Sequence, residues 1–194
     1  MPLHLNVPNL LSIFRMAVIP AMALLFYIPG PVAAWFNLFL FALAGLSDYL
    51  DGIIARKTGQ TSILGKFLDS TSDKMIVGAV LMLLVAFGRL DGVWIFPALV
   101  IFLREILIAG MREFLGLYNV IVPISRLGKW KLTLQMFSMG WLVVGDHGDL
   151  LVPHTMIVGK VLFLLAMAAT VLSGWDYMKA GLETIRRLDA EKKT

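Results

Sequence analysis

Residues 31–56 read PVAAWFNLFLFALAGLSDYLDGIIAR. Between Pro31 and Leu46 no side chain carries a charge and only Asn37 is strongly polar. Such a run approaches the roughly 20 residues that a membrane-spanning helix requires. A helix over 32–57 would be about 39 Å long at about 1.5 Å per residue, longer than the roughly 30 Å hydrocarbon core. One end therefore projects to the level of the lipid head groups, and that end carries Asp48, Asp51 and Arg56. The stretch predicts a spanning helix with an acidic terminus at the interface.

The rest of the chain is consistent with this. Of its 194 residues 59% are hydrophobic and 15% charged, with mean hydropathy +0.83. Soluble domains run at about 45–50% apolar and about 25% charged. Disorder, a coiled coil and a disulfide scaffold are excluded, the last because there is no cysteine. The 17 basic and 13 acidic residues give a net charge of +4. The bases are interleaved with apolar runs rather than gathered on a soluble face, so no nucleic-acid partner is expected.

The apolar runs predict an all-α integral membrane protein with six transmembrane helices, at about 9–28, 32–57, 66–88, 92–115, 127–146 and 154–179. Turn formers separate them: Ile28-Pro29-Gly30-Pro31, Gly88-Arg89-Leu90-Asp91-Gly92 and Gly145-Asp146-His147-Gly148-Asp149. Lys and Arg cluster after the second helix, around the fourth connection and at the C-terminus, while the alternate connections are nearly free of them. By the positive-inside rule both termini are expected in the cytoplasm. Residues 1–9 hold no Lys or Arg and no small-residue cleavage site follows promptly, so no signal peptide is expected. The expected organisation is one domain over 1–180 and a cytoplasmic C-terminal tail over 181–194.

Four aspartates stand where a membrane protein should avoid them. Asp48 and Asp51 are three residues apart, and Asp69 and Asp73 four apart. Either spacing puts both carboxylates on one face of a helix. Gly52, Gly59 and Gly65 suit a turn between them, so two helix ends would present four carboxylates to one another. Clustered carboxylates repel unless a cation neutralises them, and oxygen donors without His or Cys favour a hard divalent ion, Mg2+ or Mn2+, with room for two. Such ions commonly serve a phosphate or diphosphate. The competing reading, four juxtamembrane acids solvated by water, does not explain the matched helical spacing or the cost of acids at membrane depth. His4, His147 and His154 share no metal-ligand spacing.

Residues 48–73 fill every fixed position of D-x-x-D-G-x-x-A-R, eight residues, G-x-x-x-D-x-x-x-D, through Asp48, Asp51, Gly52, Ala55, Arg56, Gly65, Asp69 and Asp73. In this the chain resembles the CDP-alcohol phosphatidyltransferase family. It is most similar to the bacterial branch whose acceptor is sn-glycerol 3-phosphate, through residues 7–15 (VPNLLSIFR), Arg104-Glu105-Ile106, Met111-Arg112-Glu113-Phe114 and residues 125–131 (SRLGKWK). That branch usually has Thr after the second Lys, where this chain has Leu132 before Thr133.

The resemblance implies a homodimer in the bacterial cytoplasmic (inner) membrane with its active site facing the cytoplasm. It implies transfer of the phosphatidyl group of CDP-diacylglycerol to sn-glycerol 3-phosphate, releasing CMP. Asp48, Asp51, Asp69 and Asp73 would bind the metal ions, and Asp73 would also act as general base on the attacking hydroxyl. Asn9, Gly52, Arg56, Ser62 and Gly65 would bind CDP-diacylglycerol. Arg112 and Lys129, with Arg104 and Lys131 behind them, are the candidates for the acceptor's phosphate. Bases at cytoplasmic helix ends are also ordinary topology anchors, and Glu105 and Glu113 could simply pair with them. Another acceptor (inositol phosphate, serine or a lipid) is the nearest alternative. A membrane prenyltransferase lacks the G-x-x-A-R continuation, and a metal transporter would need polar groups through the whole bilayer.

Overall fold

The computed structural model describes residues 7–58, 63–118, 120 and 126–191, and among these all regular structure is helical. Six α-helices follow in order: α1 Val7–Phe26, α2 Pro31–Thr58, α3 Ile63–Ala86, α4 Ile95–Leu117, α5 Arg126–Val144 and α6 Thr155–Glu191. Each lies where an apolar run predicts one. Short 3₁₀ helices at Gly92–Trp94 and Gly145–Leu150 precede α4 and follow α5. The second occupies a segment expected to be a simple turn. Helix α6 continues past residue 179, the end expected for its spanning part, to Glu191.

Among the described residues four helical segments are long and apolar enough to cross a bilayer: Val7–Phe26, Pro31–Asp48, Gly92–Leu117 and Thr155–Leu188. This is a membrane protein. Helices α3 and α5 have sufficient length, but their first halves carry Lys66, Asp69, Asp73 and Lys74, and Lys129 and Lys131.

The chain forms two compact units, Met1–Asp91 with Met139–Gly159, and Gly92–Ser138 with Lys160–Thr194. Both draw on α5 and α6, so the division cuts across the chain instead of falling at a linker. In the first unit α1 packs against α2 and α3. The buried face of α1 is polar in its first half, with Asn9, Ser12 and Arg15, and apolar in its second, with Val18 and Met22, while Leu10, Ile13, Phe14 and Leu24 point outward. The inner face of α2 repeats this with Asn37, Ser47 and Asp51 beside Ala33, Phe41 and Ala44. Polar residues inside together with large apolar residues left outside fit a lipid solvent, since hydrocarbon gives no hydrophobic reason to bury every Leu or Phe. Two features close the opposite end of this unit: the Phe87 ring meets Phe26 at 5.1 Å and Tyr27 at 4.9 Å. Asp149 Oδ1 accepts a hydrogen bond from the Thr155 backbone N–H at 2.8 Å, holding the first turn of α6.

In the second unit α4 meets α6 through Arg104, whose Nη2 donates to Ser173 Oγ at 3.1 Å, and through a cation–π contact of Arg112 with Tyr177 at 5.9 Å. Gly174 makes the first of these possible, since a Cβ there would lie 3.0 Å from Arg104 Nε. Lys160 lies over the Trp94 ring at 5.5 Å.

Candidate functional site: an acidic cluster around Arg15

The acids converge. Asp48, Asp51 and Asp69 each offer an oxygen within 4.8 Å of the others. Helix α2 supplies the first two from its last turns and α3 supplies Asp69 and Asp73 from its first turns, as the three- and four-residue spacings require. Asp51 is 5% exposed, whereas the Asp48, Asp69 and Asp73 side chains are about half exposed.

At the centre of the cluster lies a group to which the sequence assigned no role. Arg15, in the middle of α1 and 1% exposed, reaches all four carboxylates. Its Nη2 donates to Asp51 Oδ2 at 2.7 Å. Its Nη1 donates to Asp73 Oδ1 and to Ser72 Oγ, the latter at 3.0 Å, and stands 3.1 Å from Asp48 Oδ1 and 3.7 Å from Asp69 Oδ1. An isolated arginine inside an apolar helix is costly, and that cost was the signal by which it could have been found.

The donor set fits a hard divalent cation. All the charged ligands are carboxylates on the pattern Mg2+ and Mn2+ prefer, and no His or Cys intrudes among the described residues. Asp69 Oδ1 is buried without a hydrogen-bond donor, so the site contains an oxygen that the protein's own groups do not satisfy.

The other predicted residues are distributed as follows. Asn9 is buried on the same face of α1 as Arg15, and Gly65 lies in the first turn of α3. Gly52 and Arg56 lie in α2 and Lys129 in α5, where only the backbone is described; Ser62 falls outside the described residues. Of the four bases, Arg104, Arg112 and Lys131 have described side chains, all in the second unit. Lys131 is buried and ion-paired with Glu105, and Arg104 Nη1 lies 3.7 Å from the same carboxylate. Arg112 is exposed. The pairing of Lys131 with Glu105 is the arrangement that competes with phosphate binding.

Fold and site together define a helical membrane protein with a cluster of carboxylates, able to hold a divalent ion, at the ends of two helices. Residues 5–172 match the family described as CDP-alcohol phosphatidyltransferase, and the chain belongs to that family. Among curated proteins it is 41% identical over 175 residues to the CDP-diacylglycerol–glycerol-3-phosphate 3-phosphatidyltransferase of Rickettsia bellii, covering 90% of this chain and 94% of the relative. The protein of the same name from Rickettsia typhi is also 41% identical over 175 residues, with 90% and 96% covered. That from Haemophilus influenzae is 39% identical over 176 residues, with 90% and 92% covered.

Proposed function

We propose that this chain transfers the phosphatidyl group of CDP-diacylglycerol to sn-glycerol 3-phosphate, giving phosphatidylglycerophosphate and CMP. The observation that carries the proposal is the convergence of the four signature aspartates on one point, in a chain similar over nine-tenths of its length to enzymes named for this reaction.

Asp48, Asp51, Asp69 and Asp73 would hold one or two Mg2+ or Mn2+ ions. When bound, such ions supply Lewis-acid polarisation of the diphosphate and offset the charge that develops on the departing CMP. The protein's own groups do the rest. Asp73 accepts the proton of the primary hydroxyl of glycerol 3-phosphate as that oxygen attacks the lipid-linked phosphorus, and the bond to the CMP oxygen breaks. Gly52 lets the nucleotide approach α2 closely because it has no side chain. Arg56 offers a forked, charge-assisted bond to phosphate. Asn9, Ser62 and Gly65 complete the CDP-diacylglycerol contacts, and Arg112 and Lys129 are the candidates for the acceptor's phosphate, ahead of Arg104 and Lys131, which share Glu105.

The same reading gives six spans, both termini and the active site on the cytoplasmic side of a bacterial inner membrane, and a homodimer. It treats 1–180 as the catalytic domain and 181–194 as a cytoplasmic tail. The test is CMP release from CDP-diacylglycerol by the purified protein with Mg2+, offered glycerol 3-phosphate, inositol phosphate or serine in turn. Release with glycerol 3-phosphate is expected. Release with none of the acceptors defeats the enzymatic reading, and release only with another one reassigns the acceptor.

A further inference from the structure

Nη1 of Arg15 has two hydrogens, yet oxygens of Asp48, Asp69, Asp73 and Ser72 all stand around it. The acceptors outnumber the donors, and Asp69 Oδ1 is the one left without a hydrogen bond. Nη2 donates to Asp51, the most buried of the four carboxylates. Nη1 therefore sits at a point surrounded by more oxygen ligands than it can serve.

A divalent cation takes six or more oxygen ligands where an N–H group takes one per hydrogen. From this we infer that Arg15 is a built-in counter-cation that competes with divalent metal for Asp48, Asp51, Asp69 and Asp73, and so sets the affinity of the site. The inference rests on the metal reading of the aspartates given above. Arg15 is a positioning residue: it touches the ligands and not the reacting atoms. Its charge holds the acidic ends of α2 and α3 against α1 and weakens the attraction of those acids for a metal ion. Loading the site then requires the guanidinium to give way.

The test is Mn2+ binding to the full-length protein in detergent, read as loss of the free-ion electron paramagnetic resonance signal, together with thermal unfolding in chelator and in Mn2+. Removing a positive charge a few ångströms from a divalent ion should tighten binding by about tenfold in Arg15→Gln. The same variant should unfold at a lower temperature than wild type in chelator and gain more from added Mn2+. Arg15→Lys keeps the charge and with it the fold, but one ammonium cannot serve Asp51 and the other three acids together. It should bind Mn2+ about threefold more tightly than wild type, and it decides the matter if the Gln variant does not fold. A purely structural Arg15 predicts weaker binding in both variants. Unchanged or weaker affinity overturns the inference and leaves the metal reading standing. Failure of wild type to bind Mn2+ saturably, or binding unaffected by Asp69→Asn, overturns the metal reading and the inference with it.

Discussion

Asp73 shows how much of a site one residue's neighbours determine. It shares Arg15 with three other carboxylates and lies one turn beyond Asp69 on α3, half exposed, so a substrate hydroxyl can approach it. Asp73→Asn keeps the size and a hydrogen-bonding oxygen but cannot take a proton. Loss of a general base costs about 10²–10⁴ in rate, so CMP release should fall by that factor while CDP-diacylglycerol still binds, as checked by equilibrium binding of the labelled lipid. Turnover at the wild-type rate removes Asp73 from the base role. The four acids were legible in the sequence because each pair follows helical spacing and because acids are rare at membrane depth. Arg15 was not, since it stands 33 residues before Asp48 on another helix. Local periodicity says which face of α1 it occupies and nothing about which helix that face meets.

Single helices carry two further consequences. At the end of α5 the chain turns through Gly145 at φ +62°, and a Cβ there would fall 1.8 Å from Arg89 Nη1. Arg89 lies 3.8 Å from Asp146. Gly145→Ala therefore incurs a left-handed backbone penalty of about 1–2 kcal/mol, while the end of the flexible Arg89 side chain has only to move aside. The variant's unfolding temperature in detergent should drop, and to a similar extent in an Arg89→Ala background. On α4 and α5 the buried Lys131–Glu105 pair obeys a different rule. Glu105→Leu alone strands a buried ammonium and should destabilise by about 3–5 kcal/mol, whereas Glu105→Leu with Lys131→Met should come close to neutral. Additive losses in that double-mutant cycle would show the pair to be uncoupled. The sequence anticipated that Glu105 could pair with a neighbouring base. It could not single out Lys131, because a base near a cytoplasmic helix end serves equally as an anchor, a pair or a phosphate ligand, and only the placement of α5 against α4 separates these.

In both units large apolar side chains are exposed, and polar side chains are buried among apolar ones. Leu24, Val32, Met82, Leu103, Phe137 and Leu165 face outward, while Arg15, Gln135, Thr170 and Ser173 are buried. That distribution makes a membrane protein legible from composition alone, and it locates the helices well because each apolar run must bury its backbone hydrogen bonds within itself. The number of spans is harder to read, since α3 and α5 carry charged residues in their first halves. With both of them crossing, the connections at Val93 and Leu151 lie outside and those near Lys57 and Lys192 lie in the cytoplasm. The chain has no cysteine, so single Cys substitutions report topology cleanly. Val93 and Leu151 are 82% and 65% exposed, and Val93→Cys and Leu151→Cys should react with an impermeant maleimide on intact spheroplasts. Lys57→Cys and Lys192→Cys should react only after permeabilisation. If α3 instead lies along the interface, Val93→Cys moves to the cytoplasmic side and becomes protected. If α5 does so, Val93→Cys stays reactive and Leu151→Cys becomes protected, so the pair of positions identifies which half-charged helix fails to cross.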